Sequence, residues 1–249
     1  MLHVGCLCHG PFQAPSVPGR RRFIGAGLSC LGLAALGVPG LARAADPVPK
    51  TTLNPDQALQ MLKDGNEQYR SDTSPRGAQG RERRAELARG QAPFCVTVSC
   101  SDSRILGSVL FSRGLGELFI IRNAGNTVDT AALGNIEYAV AVLGCPLVVV
   151  MGHGSCGAVA AAIEAVEKDT TFPGVIGEMI QPIIPAVLTS RGQPGDRLHN
   201  AVVANARRVA RRLHTQSAVI QEALRAGKLK IVAAHYGLED GKVDFFENV

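Results

Sequence analysis

The stretch Leu147-Val148-Val149-Val150-Met151-Gly152-His153-Gly154-Ser155-Cys156 sets five consecutive apolar residues against a glycine-bounded polar cluster. Five apolar residues without alternation predict a strand over 147–151, closed by Gly152 and buried on both faces, as the strands of a parallel sheet are. Cys156 to Glu167 then reads as a helix, so strand, polar turn and helix succeed one another. Working outward, Phe94 to Ser99 reads as an earlier strand and Leu118 to Ile121 as a second. Thr130 to Leu143 is a helix with Leu133, Ile136, Val140 and Leu143 on one face. Asn200 to Ala226 is a long helix, and Leu229 to His235 a last strand before a turn at 239–241. Strands alternating with helices predict an α/β fold with a central, largely parallel β-sheet covered by helices on both faces. On the amino side, Asn54-Pro55-Asp56-Gln57 supplies a helix start, and Ala58, Leu59, Leu62 and Tyr69 share a face, which predicts an additional N-terminal docking helix.

The 249 residues, 46% hydrophobic and 19% charged, suit one ordinary core, and 28 Gly and 14 Pro without a period exclude a collagen-like or coiled-coil chain. A net charge of +5 suggests an anionic partner only if it is spread over the folded part. It is not: the first 44 residues hold Arg20, Arg21, Arg22 and Arg43 and no acid, leaving 22 basic against 21 acidic side chains. No nucleic-acid partner is therefore expected. The same leader has an apolar run from Phe23 to Val38 and a small-x-small signal, Ala42-Arg43-Ala44, which together read as an export signal too short to span a bilayer. The order Arg20-Arg21-Arg22-Phe23-Ile24 resembles the twin-arginine signal, whose route carries folded proteins. The expected organisation is an export signal at 1–44, a helical arm at 45–93 and an α/β catalytic domain at 94–249. The product would be periplasmic or otherwise exported, with no stable membrane association once the signal is removed.

Removing the leader leaves Cys95, Cys100, Cys145 and Cys156. An even number in an exported chain suggests disulfides, and metal thiolates are the competing reading. The neighbours favour metal. The first strand runs into Cys100-Ser101-Asp102-Ser103-Arg104 and the later one into His153-Gly154-Ser155-Cys156, so both polar clusters sit at strand carboxyl ends. In an open α/β sheet that edge binds ligands, above all between neighbouring strands whose crossovers leave in opposite directions. Two thiolates and an imidazole suit zinc, one per chain, and three protein ligands leave the fourth tetrahedral position for water, as in catalytic sites. Asp102 either closes the site as fourth ligand or is held off by a bidentate pair with Arg104, free to accept a hydrogen bond from the nucleophile. Catalysis needs the second state. Cys95 and Cys145 read as small buried residues.

Cys-x-Asp-x-Arg followed by His-x-x-Cys resembles the β-class carbonic anhydrases, here at Cys100, Asp102, Arg104, His153 and Cys156. The similarity extends through Gln91-Ala92-Pro93, 116–126, 134–140 and Gly157-Ala158-Val159, and more weakly to 236–241. The resemblance implies the β-carbonic-anhydrase-like fold, with Cys100, His153 and Cys156 as zinc ligands and Asp102 with Arg104 as the orienting catalytic pair. It implies that Gln91 enters the neighbouring subunit's site, and that Phe119, Ala124 and Tyr138 form the apolar wall of the substrate pocket. The implied reaction is reversible hydration of carbon dioxide to bicarbonate and a proton, in a homodimer or higher homo-oligomer. One subset of the family forms a noncatalytic bicarbonate pocket with a Trp. This chain has none, and Thr97 stands at the corresponding position.

Two alternatives share these residues: a carbonyl sulfide or carbon disulfide hydrolase on the same site, and a noncatalytic zinc- or bicarbonate-binding protein with Asp102 permanently on the metal. Arg207, Arg208, Arg211 and Arg212 form a basic helical face, read as a solvated or interface surface. His199, His214 and His235 are candidates for a proton shuttle by residue type only.

Overall fold

The computed structural model describes residues 49–73 and 77–248; the export-signal reading of residues 1–44 lies outside them. Helix α1 (Pro55–Arg70) opens the fold with a reciprocal cap, in which Gln57 N–H donates to Asn54 Oδ1 at 2.9 Å and Asn54 N–H to Gln57 Oε1 at 3.0 Å. Two of the helix's otherwise unpaired amide groups are satisfied this way, and Pro55 sits where no N–H is missed. A short charged helix, α2 (Arg81–Leu87), leads to strand β1 (Cys95–Ser99). After α3 (Gly107–Leu110) come β2 (Leu118–Arg122), a 3₁₀ turn at Ala124–Asn126, α4 (Thr130–Ala141) and β3 (Leu147–His153). Helices α5 (Gly157–Lys168), α6 (Ile176–Ile180), α7 (Ile184–Thr189), α8 (Arg197–Gln216) and α9 (Ala218–Arg225) precede β4 (Lys230–Tyr236) and β5 (Val243–Phe246).

The strands form one sheet in the order β2-β1-β3-β4-β5. The first four are parallel and β5 runs antiparallel against β4. The chain leaves β1 toward β2 on one side and β3 toward β4 on the other, so the crossovers diverge between β1 and β3. That pair is fixed in the register Val96↔Val148 to Ser99↔Met151.

Alternating side chains of the same buried strands feed two cores. Val96, Val98, Val148 and Val150 pack with Ile136 of α4, Val209 and Leu213 of α8 and Ile220 of α9. Cys95, Leu147, Val149 and Met151 pack on the other face with Ala58, Leu59 and Leu62 of α1 and with Leu110 and Phe111. All of β1 and β3 is buried, as a sheet covered on both sides requires. The predicted docking helix thus covers one face of the chain's own sheet, and the described residues form one compact unit. No helix among them is long and apolar enough to cross a membrane.

The structure corrects two readings of local structure and adds two helices. Strand β3 does not close at Gly152 but continues through His153. The glycine serves packing: a Cβ there would lie 2.6 Å from Val202 Cγ1, so it lets α8 approach the sheet. The long helix expected over 200–226 is two, separated by Ser217, whose extended backbone ends α8 and whose side chain accepts from Ile220 N–H to start α9. Helices α6 and α7 were not expected from the sequence.

Candidate metal and catalytic site

Three residues from two strand ends converge. Cys100 follows β1, His153 ends β3 and Cys156 caps α5; their ligand atoms all lie within 4.8 Å of one another, and all three residues are buried. His153 Nδ1 donates to Gly154 O at 2.9 Å, because a carbonyl can only accept. The ring proton therefore sits on Nδ1 and Nε2 presents its lone pair to the cluster. Nε2 is buried without a hydrogen-bond partner, a costly state unless a cation takes the lone pair. Two sulfurs and this nitrogen are a donor set that fits zinc and excludes magnesium or calcium.

The thiols are polarised against each other. A hydrogen bond from Cys156 is the largest of the influences that bring Cys100 down to about 4, against the opposing effect of burial. Backbone donors, including Gly125 N–H at 3.4 Å from Cys100 Sγ, act in the same direction. Cys156 is pushed upward, first by that shared hydrogen bond and then by burial. One thiol is thus lowered and the other raised through the hydrogen bond they share, and a divalent cation bound to both sulfurs would take that bond's place. Cys95 and Cys145 behave otherwise: burial raises the first and pushes the second up to about 12. All four cysteines among the described residues are free thiols, so the disulfide reading is not realised.

Asp102 lies beside the cluster without joining it. Arg104 Nε donates to its Oδ1 at 2.9 Å and Nη2 to its Oδ2 at 2.7 Å, while the Arg104 backbone N–H adds a bond of 3.0 Å to Oδ1. This side-chain grip holds the Asp102 carboxyl well below the usual carboxylate range. Asp102 Oδ2 stands 4.0 Å from His153 Nε2, beyond hydrogen-bond reach. The site is thus a three-ligand cluster with an ionised, acceptor-only carboxylate at its side.

A family model described as carbonic anhydrase matches residues 95–243. The carbonic anhydrase of Mycolicibacterium smegmatis is 38% identical over 191 residues, covering 77% of this chain and 93% of its own. Carbonic anhydrase 2 of Mycobacterium tuberculosis is 39% identical over 189 residues, covering 76% and 91%. Among solved structures, a tetrameric β-carbonic anhydrase from Sordaria macrospora superposes with a TM-score of 0.59 at 26% identity, covering 65% of this chain and 84% of that one. The chain belongs to the β-class carbonic anhydrases. It is an enzyme of that family, and its mostly parallel sheet flanked by helices is the family's fold.

Within one chain of this carbonic anhydrase, Cys100, Asp102, Arg104, His153 and Cys156 come together, and Ala124 directly precedes Gly125, whose N–H contacts Cys100 Sγ. Gln91, Phe119 and Tyr138 do not. Gln91 is exposed and precedes β1, at the opposite end of a strand that spans roughly 16 Å. Phe119 pairs with Val96, four residues before Cys100, and packs toward the core under α4, its ring 6.4 Å from that of the half-exposed Tyr138. Three contributors were missed in the sequence. Arg122 Nη2 donates to Asp102 O at 2.6 Å and its Nε to Cys100 O at 3.2 Å, tying the catalytic loop to β2. Gly125, at φ 63°, turns its N–H to the sulfur, and buried Asn205 donates to Gly125 O at 2.8 Å, anchoring that turn to α8. No local pattern announces these roles, since the partners lie 20 to 80 residues apart.

The thiol pair yields a measurable expectation. A thiol whose folded pKa is depressed contributes stability that is full above its ordinary value of about 8.5 and is lost as pH falls through the folded value. Metal-stripped protein should therefore carry thiolate absorbance at 240 nm at pH 7, vanishing as pH falls through about 4, with Cys100→Ser abolishing it. Absorbance that first appears above pH 8 would contradict the assignment.

Proposed function

We propose that this carbonic anhydrase hydrates carbon dioxide reversibly to bicarbonate and a proton on one zinc ion per chain. The observation that carries the reading is the division among five residues: Cys100, His153 and Cys156 form the ligand set, while Asp102 is turned aside by Arg104. Zinc bound there supplies Lewis acidity that makes a hydroxide nucleophile available near neutral pH, chemistry for which carbonic anhydrases are the standard example. Two thiolates and a neutral imidazole balance its charge. The ionised Asp102 accepts the nucleophile's proton in a hydrogen bond, which leaves a nucleophile lone pair free for the carbon of the substrate. Arg104 keeps that carboxylate ionised and oriented. Closing the site with Asp102 as fourth ligand would first break a bidentate charge-assisted pair, which argues against the noncatalytic reading. The relatives named as carbonic anhydrases favour carbon dioxide over carbonyl sulfide or carbon disulfide.

We further infer that Gln91, Phe119 and Tyr138 complete the pocket of a second copy, as a homodimer or larger assembly would require. Each lies away from its own chain's Cys100–His153–Cys156 cluster, and both Ile120 of the edge strand β2 and Tyr138 are about half exposed. An uncharged substrate with little to hydrogen-bond suits the apolar wall these side chains offer.

Stopped-flow hydration assays on the wild type and Cys156→Ser, with zinc quantified in both, test the mechanism. About one zinc per wild-type chain is expected, and Cys156→Ser should lose the metal with at least a hundredfold drop in rate; equal rates would defeat it. Sharing of sites has its own assay. Cys156→Ser chains co-refolded with chains carrying Gln91→Ala and Phe119→Ala should regain activity absent from either alone, whereas no recovery in a proven mixed oligomer would mean each chain is self-sufficient. Export by the twin-arginine route is inferred from the Arg20–Ile24 sequence. Arg20→Lys with Arg21→Lys should leave the precursor in the cytoplasmic fraction, and unchanged export would assign another route.

A further inference from the structure

We infer that helix α8 carries a binding site for a phosphate-class oxyanion, distinct from the Cys100–His153–Cys156 centre. A cavity of about 300 Å³ opens along this helix, and Thr189, Gln193, His199, Asn200, Arg207 and Arg211 supply its polar lining. His199, Val203, Arg207 and Arg211 recur every four residues, so they share one stripe of the helix and lie a turn apart. No carboxylate lines the cavity. The arginines that make ion pairs among the described residues are Arg70, Arg83, Arg104, Arg113 and Arg197, and neither Arg207 nor Arg211 is one of them.

The contrast with Arg197, on the same helix, is informative. Arg197 Nε donates to Glu167 at 2.9 Å, and its other nitrogens donate to Ser190 Oγ and Val187 O, so its charge is consumed in tying α8 to α5 and α7. Arg207 is held differently. Its guanidinium lies 4.5 Å from the centre of the Phe246 ring, and its Nε is buried without a hydrogen-bond partner. Stacking on an aromatic ring fixes the plane of the fork without using its donors, which reduces the ordering cost of binding.

Two guanidinium groups a turn apart match a dianion with several oxygens better than a monoanion, which would leave one cation uncompensated. The cavity's volume is at the small end for ligand sites and admits one phosphate group, free or carried on a small organic body. A flat nucleic-acid footprint would need no such concavity. His199 lines the cavity while its ring meets that of the buried His235 edge-on at 4.5 Å, and His235 is paired with Gly152. The cavity therefore lies against the sheet from the α8 side and shares no lining residue with the metal ligands.

Titration calorimetry on the zinc-loaded protein at constant ionic strength, with inorganic phosphate, phenyl phosphate and a chloride control, tests the site. Saturable binding of one phosphate per chain is expected and none of chloride. Arg211→Gln, at an exposed position, should weaken phosphate about tenfold, as loss of one hydrogen-bonded charge does, with hydration of carbon dioxide unchanged. Equal affinity for phenyl phosphate would identify a phosphate carried on an organic body, and preference for inorganic phosphate a free oxyanion. Cys156→Ser should retain phosphate binding. Binding lost in Cys156→Ser but intact in Arg211→Gln would place the anion on the metal and overturn the inference, as would failure to saturate at millimolar phosphate.

Discussion

Parallel pairing of β1 with β3, in the register that sets Ser99 opposite Met151, is the constraint on which the site depends. Cys100 and His153 are 53 residues apart in the chain, and only this pairing puts them at one edge. A slip of one residue would turn every β3 side chain to the other face, sending Val148 and Val150 into the core built for Leu147, Val149 and Met151. A slip of two would keep the faces but shift the strand ends by roughly 7 Å, more than the whole spread of the ligand atoms. The register is therefore held by two cores at once, and the metal site inherits that rigidity without contributing to it.

Around this frame, electrostatics decides what the cluster can do. Two sulfurs in a buried pocket would be unstable as a pair of thiolates, and the structure relieves this with the hydrogen bond between them and the Gly125 N–H. A divalent cation satisfies the same groups together. Asp102 would be the natural fourth ligand for such an ion, so its diversion by Arg104 is a choice between two strong partners. The loop geometry favours Arg104, since its backbone N–H and side chain both grip the carboxylate and Arg122 pins the loop's carbonyls from β2. The backbone of the catalytic loop is thus fixed independently of the metal.

What was legible in the sequence follows from the range of the physics involved. Strand β3 was legible because burial on both faces leaves an unbroken apolar run, and the five chemistry-bearing residues because polar clusters at strand ends stand out against it. Gly152 was misread because the role of a glycine is set by its neighbour across space, here Val202 of α8, and locally it looks like a strand breaker. Ser217 splits a helical stretch by capping the second half, a signal hidden among residues that all favour helix. The helices α6 and α7 were obscured by Pro173, Gly174, Pro182 and Pro185, which break the periodicity into pieces too short to read. Arg122, Gly125 and Asn205 act through hydrogen bonds to distant loops, and sequence spacing carries no trace of such contacts.

The two ends of the sheet also divide the candidate pocket residues within one chain. Cys100 follows the carboxyl end of β1, whereas Gln91 precedes its amino end and Phe119 pairs near it, so a rigid strand separates them within the chain. Flexing the loops does not help, because β1 is buried along its full length and pinned on both sides by β2 and β3. If those side chains act on substrate, they act across an interface, and Ile120 of the edge strand β2 is exposed. The same argument bears on the proposed route of export. A site with reactive thiolates would be best protected from oxidation if folding and metal loading preceded arrival in a disulfide-forming compartment. Cys95 and Cys145 need no such protection, since burial keeps them as neutral thiols inside the core.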